Sequence, residues 1–152
     1  MILAASAVCF GKMTGVPFTV ECRLGRLVEV RLLAMREPDV AVLQEAMRGA
    51  FVQVGGKVVI CTDLRGIGLL SPTMADLMIG VLAKSNPHLE RSAFLLLPDG
   101  ALFHLQAERV VREAKSAVRR TFRDPRSLVA WLDDVLDDPE RARVRAFLSV
   151  DE

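Results

Sequence analysis

The sequence predicts an α/β fold: one mixed β-sheet of about five strands with four to five helices packed on it. Three observations predict it. Residues 18–34 alternate between apolar and polar side chains in two segments, the pattern of a β-hairpin. Val58-Val59-Ile60-Cys61 is a short apolar run rich in β-branched residues, the pattern of a strand buried on both faces. From there on, stretches of helical periodicity alternate with short apolar runs, the order of strands joined by crossover helices. Hydrophobic residues make up 51% of the 152, enough for a sizeable core and too many for a disordered chain. The whole of 1–152 reads as one domain, with residues 1–15 as an edge strand or arm and residues 139–152 as a helical extension.

The elements follow in order. Phe18, Val20 and Cys22 alternate with Thr19, Glu21 and Arg23; Gly25-Arg26 is a tight connection; Val28, Val30 and Leu32 alternate with Glu29 and Arg31. The first of these strands is therefore expected to be half-buried, and the two together to form a β-hairpin. Arg36-Glu37-Pro38-Asp39 breaks the strand, and Val40, Leu43, Met47, Ala50 and Phe51 mark a helix that ends at Gly55-Gly56. After the central strand and Asp63-Leu64-Arg65-Gly66, Ser71-Pro72-Thr73 opens a helix to about Lys84: Ser is a preferred N-cap and Pro suits the first helical position. Its expected buried stripe is Met74, Leu77, Met78 and Val81. His88-Leu89-Glu90 reads as loop and residues 92–97 as a strand. Phe103, Ala107, Val110 and Val111 belong to a long helix, and residues 117–122 form a last short strand. Asp124-Pro125 starts a helix through Leu136; Asp137-Asp138-Pro139 interrupts, and a short helix covers residues 141–150.

Composition excludes several classes. The net charge of +1 argues against a general polyanion binder. Charge is nevertheless segregated: residues 108–131 carry seven Lys/Arg against three Asp/Glu, and residues 132–152 three Arg against seven Asp/Glu. Cys9, Cys22 and Cys61 are odd in number and make no CxxC pair, so a disulfide framework is not expected and a reducing, cytoplasmic setting is. No apolar run reaches the roughly 18 residues of a membrane span, and the first residues lack the basic start and processing site of a signal peptide. His88 and His104 stand without metal-ligand spacing, and no GxSxG, P-loop or GxGxxG is present. No cofactor or metal is expected.

Two pieces of the chain resemble the SpoIIAA-like family of the STAS (anti-sigma factor antagonist) superfamily. One is the strand ending in Asp63-Leu64-Arg65-Gly66 with the helix start at Ser71-Pro72-Thr73. The family has an Asp-Leu segment there, then an Asp-Ser-Ser-Gly loop. The other is Phe122-Arg123-Asp124-Pro125 through Ala130-Trp131-Leu132, similar to the family's Phe-x-Asp and Ala-x-x-Trp-Leu close. Ser71 stands where the family has Asp, Pro72 at its first Ser, Thr73 at the Ser that is phosphorylated, and Met74 at the Gly. The resemblance implies a STAS-like fold and a non-enzymatic regulatory module that works by protein–protein contact. Its partner would be a kinase-like or other signalling protein, and Thr73 or Ser71 the residual phospho-switch.

The residues themselves leave alternatives open. Ser71 reads equally as a plain helix cap. Asp63 and Arg65 lie at the carboxyl end of a strand, where ligands sit in α/β sheets, or Asp63 closes its own turn. Pro72, Ala75, Asp76, Ile79, Gly80 and Ala83 form a small, mostly apolar face away from the expected stripe. That face is either a partner surface, including that of a homodimer, or is covered internally. The second functional reading is a small-ligand or lipid-binding sensor, which requires a pocket beside Asp63 and Met74. Arginines and a lysine at residues 109–126 form a candidate basic surface for phosphate or an acidic partner; nucleic acid is not expected, because exposed aromatics do not accompany them.

Overall fold

The computed structural model describes residues 16–151. The expected arm at residues 1–15, with Cys9, lies outside the described residues. β1 (Phe18–Leu24) and β2 (Leu27–Leu32) form the antiparallel hairpin, with Phe18 opposite Leu32 and Val20 opposite Val30. β3 (Val58–Asp63), β4 (Leu89–Leu95) and β5 (Arg119–Phe122) run parallel to β2, so the sheet is mixed and ordered β1-β2-β3-β4-β5. Three crossovers carry α1 (Glu37–Val54), α2 (Pro72–Ser85) and α3 (Ala101–Glu113); α4 (Pro125–Asp133) and α5 (Asp138–Leu148) close the chain. This is the α/β architecture that the sequence predicts.

Strand alternation sorts the side chains into two cores. Val58 and Ile60 of β3 join Phe18, Val20, Val28, Val30 and Leu32 beneath α1, with Met78 of α2 against them. Val59 and Cys61 point the other way, with Leu27, Ala93 and Leu95, beneath α4 and α5. The sheet is therefore covered on both faces, the arrangement that near-continuous apolar strands require. Leu27, Leu128, Leu132 and Val144 are fully buried on the second side, each worth about 1.5–3 kcal/mol relative to exposure.

β1 is half-buried, as its alternation predicts, but the second layer changes its partner. β2 is buried along nearly its whole length, because α5 covers the side that carries Glu29 and Arg31. Glu29 is 1% exposed and accepts from Arg143 Nε at 3.0 Å and Nη2 at 2.7 Å. Burial of the carboxylate is tolerated because that fork satisfies both of its oxygens.

Several boundaries also move. β4 begins at Leu89, in the stretch read as loop, because Leu89 pairs with Val58 and is buried in the first core. Asp137-Asp138-Pro139 does not interrupt a helix but starts α5: Asp137 accepts from Glu140 N at 2.9 Å, and Glu140 Oε1 accepts from Asp137 N at 3.0 Å. That reciprocal capping box satisfies two amides that a helix start otherwise leaves unpaired. α5 belongs to the second core through Val144, Phe147 and Leu148.

Candidate functional site

The carboxyl ends of β2, β3 and β4 lie at one end of the sheet, and the loop of residues 64–71 crosses it. Leu64 N donates to Leu95 O at 2.9 Å, holding the loop's start against the end of β4. Gly66 faces Leu33 so closely that a Cβ there would lie 2.5 Å from Leu33 Cδ2. Gln106 of α3 then clamps the loop's end: Leu70 N donates to its Oε1 at 2.9 Å, and its Nε2 donates to Leu70 O at 2.8 Å. His104, buried at 2% exposure, donates from Nε2 to Leu97 O at 2.6 Å and ties α3 to the chain leaving β4. The loop after β2, the loop before α2, the chain after β4 and the start of α3 are thereby joined into one surface.

Exposed leucines stand on each of these segments. Leu33 is 48% exposed, Leu69 61%, Leu97 47%, Leu102 61% and Leu105 64%. Ser71, Pro72 and Thr73 lie exposed at the head of α2 beside them. Scattered exposed leucines are ordinary, but these five stand on four chain segments that the contacts above tie together at one end of the sheet, a setting in which exposed apolar residues mark contact sites. The sequence holds a signal for two of them. Leu102 and Leu105 fall off the stripe defined by Phe103, Ala107 and Val110, so they project from the helix's outer side. Leu33, Leu69 and Leu97 carry no such signal, because a loop leucine's exposure depends on what the fold sets beside it.

The residues expected at the site separate into three groups. Ser71 is a helix cap, its Oγ accepting from Met74 N at 3.1 Å, and Thr73 is exposed one position beyond the first helical residue. Pro72, Asp76, Gly80 and Ala83 are exposed and Ile79 is half-buried. Asp76 lies 3.9 Å from Arg109 on α3. Ala75 is the exception on that face: it is 3% exposed, while Leu77 of the expected buried stripe is 38% exposed. The helix is rotated so that Met74, Ala75, Met78 and Val81 face inward, because α1 and α3 flank it on both sides.

Asp63 and Arg65 form an internal clamp. Asp63 continues the Val59–Cys61 alternation and so faces α5, away from α2. Its Oδ1 accepts from Arg65 N and Nε, both at 3.0 Å, and its Oδ2 from Arg65 Nη2 and Arg31 Nε, both at 3.1 Å. Arg31 also donates to Phe147 O at 3.0 Å and lies over the Phe147 ring. Burial pushes the Asp63 carboxyl up, but Arg65 and Arg31 outweigh it and hold the group below the usual carboxylate range. Neighbouring Cys61 is fully buried, and burial pushes its thiol far up, which makes it a packing residue rather than a nucleophile.

An apolar cavity of about 50 Å³ lies beneath α2 and α3, lined by Met35, Leu64, Met74, Met78, Phe94 and Phe103 among others. Among the described residues no group of three or more His, Cys, Asp or Glu side chains is placed to hold a metal ion. No helix among them is long and apolar enough to cross a membrane. No protein-family model matches the chain, and no curated protein matches it.

Proposed function

We propose that the protein is a non-enzymatic regulatory module of the STAS-like kind, acting in the cytoplasm by binding a signalling protein at the carboxyl end of its sheet. The observation that carries this reading is the leucine patch of Leu33, Leu69, Leu97, Leu102 and Leu105 around the exposed head of α2. Partners of this kind bury apolar anchors inside a polar rim. Thr73 is exposed at a helix N-terminus, where a phosphate is electrostatically favoured, so its phosphorylation would add charge at the edge of the patch and weaken an apolar contact. The ligand-sensor reading rests on the cavity beneath α2, whose methionines can repack. At about 50 Å³ it falls well short of the roughly 300 Å³ at which small-molecule pockets begin, which favours the partner reading.

The test is affinity capture from the source cell with the wild type, the double variant Leu69→Glu/Leu102→Glu, and a Thr73→Glu variant. Both leucines are well exposed, so circular dichroism should show an unchanged fold. The expected result is a partner recovered by the wild type, lost with the leucine variant and depleted with Thr73→Glu. Recovery of the same proteins by the wild type and the leucine variant would overturn the proposal.

A further inference from the structure

The basic stretch of residues 109–126 does not form one surface. Arg109 is taken up by Glu113 at 2.6 Å, and Arg126 donates to Asp151 O at 3.1 Å. Arg112 and Lys115 are exposed, and neither makes an ion pair among the described residues. They border an open cleft of about 590 Å³ that runs between the second half of α3 and β5. Arg119, Arg120 and Thr121 of β5 form its other wall, and Glu108 is its one carboxylate.

Two further features mark this cleft. Among the described residues β5 is an edge strand of the sheet. Val118 O and Phe122 O accept from β4, so by strand alternation Arg119 and Thr121 turn their N–H and C=O groups to the open side. Arg119 is also a buried guanidinium, 5% exposed, with no carboxylate partner among the described residues. Its Nη2 donates to Leu82 O at 2.7 Å and its Nη1 to Asn86 Oδ1, while its Nε has no hydrogen-bond partner. Burial pulls its pKa down to about 10. A buried cation without a counter-charge is costly, and negative charge in the adjoining cleft would offset part of that cost through space.

We propose that the open edge of β5, with Arg112 and Lys115 of α3, binds an extended acidic peptide strand. Strand addition supplies backbone hydrogen bonds at Arg119 and Thr121, and the cations select for carboxylates along the added strand. Arg120 stacks its guanidinium over Phe122 and Trp131 on the α4 side and stiffens the edge. Charge on an edge strand discourages indiscriminate pairing; here it admits only a strand of opposite sign. The site uses none of the leucines of the carboxyl-end patch, so either proposal can fail without the other.

The test is fluorescence anisotropy at low salt with an end-labelled peptide of alternating Glu and Val, against its Gln-Val counterpart. The wild-type protein should bind the Glu-Val peptide. The Arg112→Glu/Lys115→Glu variant should bind it about tenfold more weakly or worse, the effect of two partly screened charge contacts. The wild type should bind the Gln-Val peptide as poorly. Hydrogen exchange at the Arg119 and Thr121 amides should slow when the acidic peptide binds. Equal binding by the charge-reversed protein, or bound peptide without slowed exchange in β5, would overturn the proposal. So would full displacement by inorganic phosphate at the peptide's own concentration, which would mark a simple anion site. Unchanged circular dichroism of the variant keeps loss of binding distinct from loss of fold.

Discussion

Two guanidinium groups and a backbone N–H converge on Asp63, and their effect is measurable as acid sensitivity. Glu140 is similar: burial pushes its carboxyl up, but the Arg26 and Asp137 backbone N–H groups and the Arg26 guanidinium pull it below its ordinary value. A carboxylate whose pKa is lower folded than unfolded stabilises the fold fully above its unfolded pKa, about 4, and loses that contribution as pH falls through the folded value. The urea midpoint should therefore stay level from neutral pH to about 5 and fall below about 4. Asp63→Asn should cost about 1–3 kcal/mol at neutral pH, the worth of charge-assisted hydrogen bonds, and flatten the acid limb. A variant as acid-sensitive as the wild type would sink this account. The sequence places Asp63 at a strand end and allows that it caps its own turn, which it does toward Arg65. It does not disclose Arg31, whose contact depends on β2 and β3 lying side by side with Arg31 opposite Asp63.

Among the elements, α2 shows what local chemistry discloses and what packing adds. Its start is legible because Ser-Pro is both a cap and a first-turn signal. Its rotation is not, because Ala75 and Leu77 compete for the inward side and the neighbours α1 and α3 decide in favour of the smaller residue. Two substitutions should act oppositely along this helix. Ser71→Ala removes the bond to Met74 N and should lower stability by about 1 kcal/mol. Gly80→Ala should raise it by about 0.5–1 kcal/mol, because Gly80 is helical, exposed and has nothing within 4 Å of an added Cβ. Thermal or urea unfolding of the two variants reads both signs, and a destabilised Gly80→Ala would mean that this face of α2 is covered. α5 teaches the complementary lesson: Asp137 and Glu140, three apart, spell a capping box that Pro139 obscures, although Pro is acceptable in a first helical turn.

For the whole molecule, the turn between β1 and β2 and the helix α5 are fastened together. Gly25 at φ +58° abuts Glu140, which accepts from Arg26 N at 2.8 Å. A Cβ on Gly25 would lie 2.3 Å from Glu140 Oε2. Gly25→Ala should therefore destabilise by about 2 kcal/mol or more, through the left-handed backbone and the displaced carboxylate together. Unfolding monitored at Trp131 of α4 should report the loss in the same transition as far-ultraviolet circular dichroism. An unchanged midpoint would show that the turn and α5 are not coupled. The sheet, its mixed direction and most of its helices are legible in sequence because each rests on local periodicity. The separation of α4 and α5 onto the opposite face is not, since two short helices of apolar pattern fit either side until the crossovers fill one. The strand order itself carries a last consequence. From β2 to β5 the parallel strands advance in one direction without reversing. Open α/β sheets form their ligand crevice where that direction reverses and adjacent loops splay apart. With no reversal, the strand order supplies no such crevice at this end, which suits the proposed contact with a partner's surface better than a nucleotide slot.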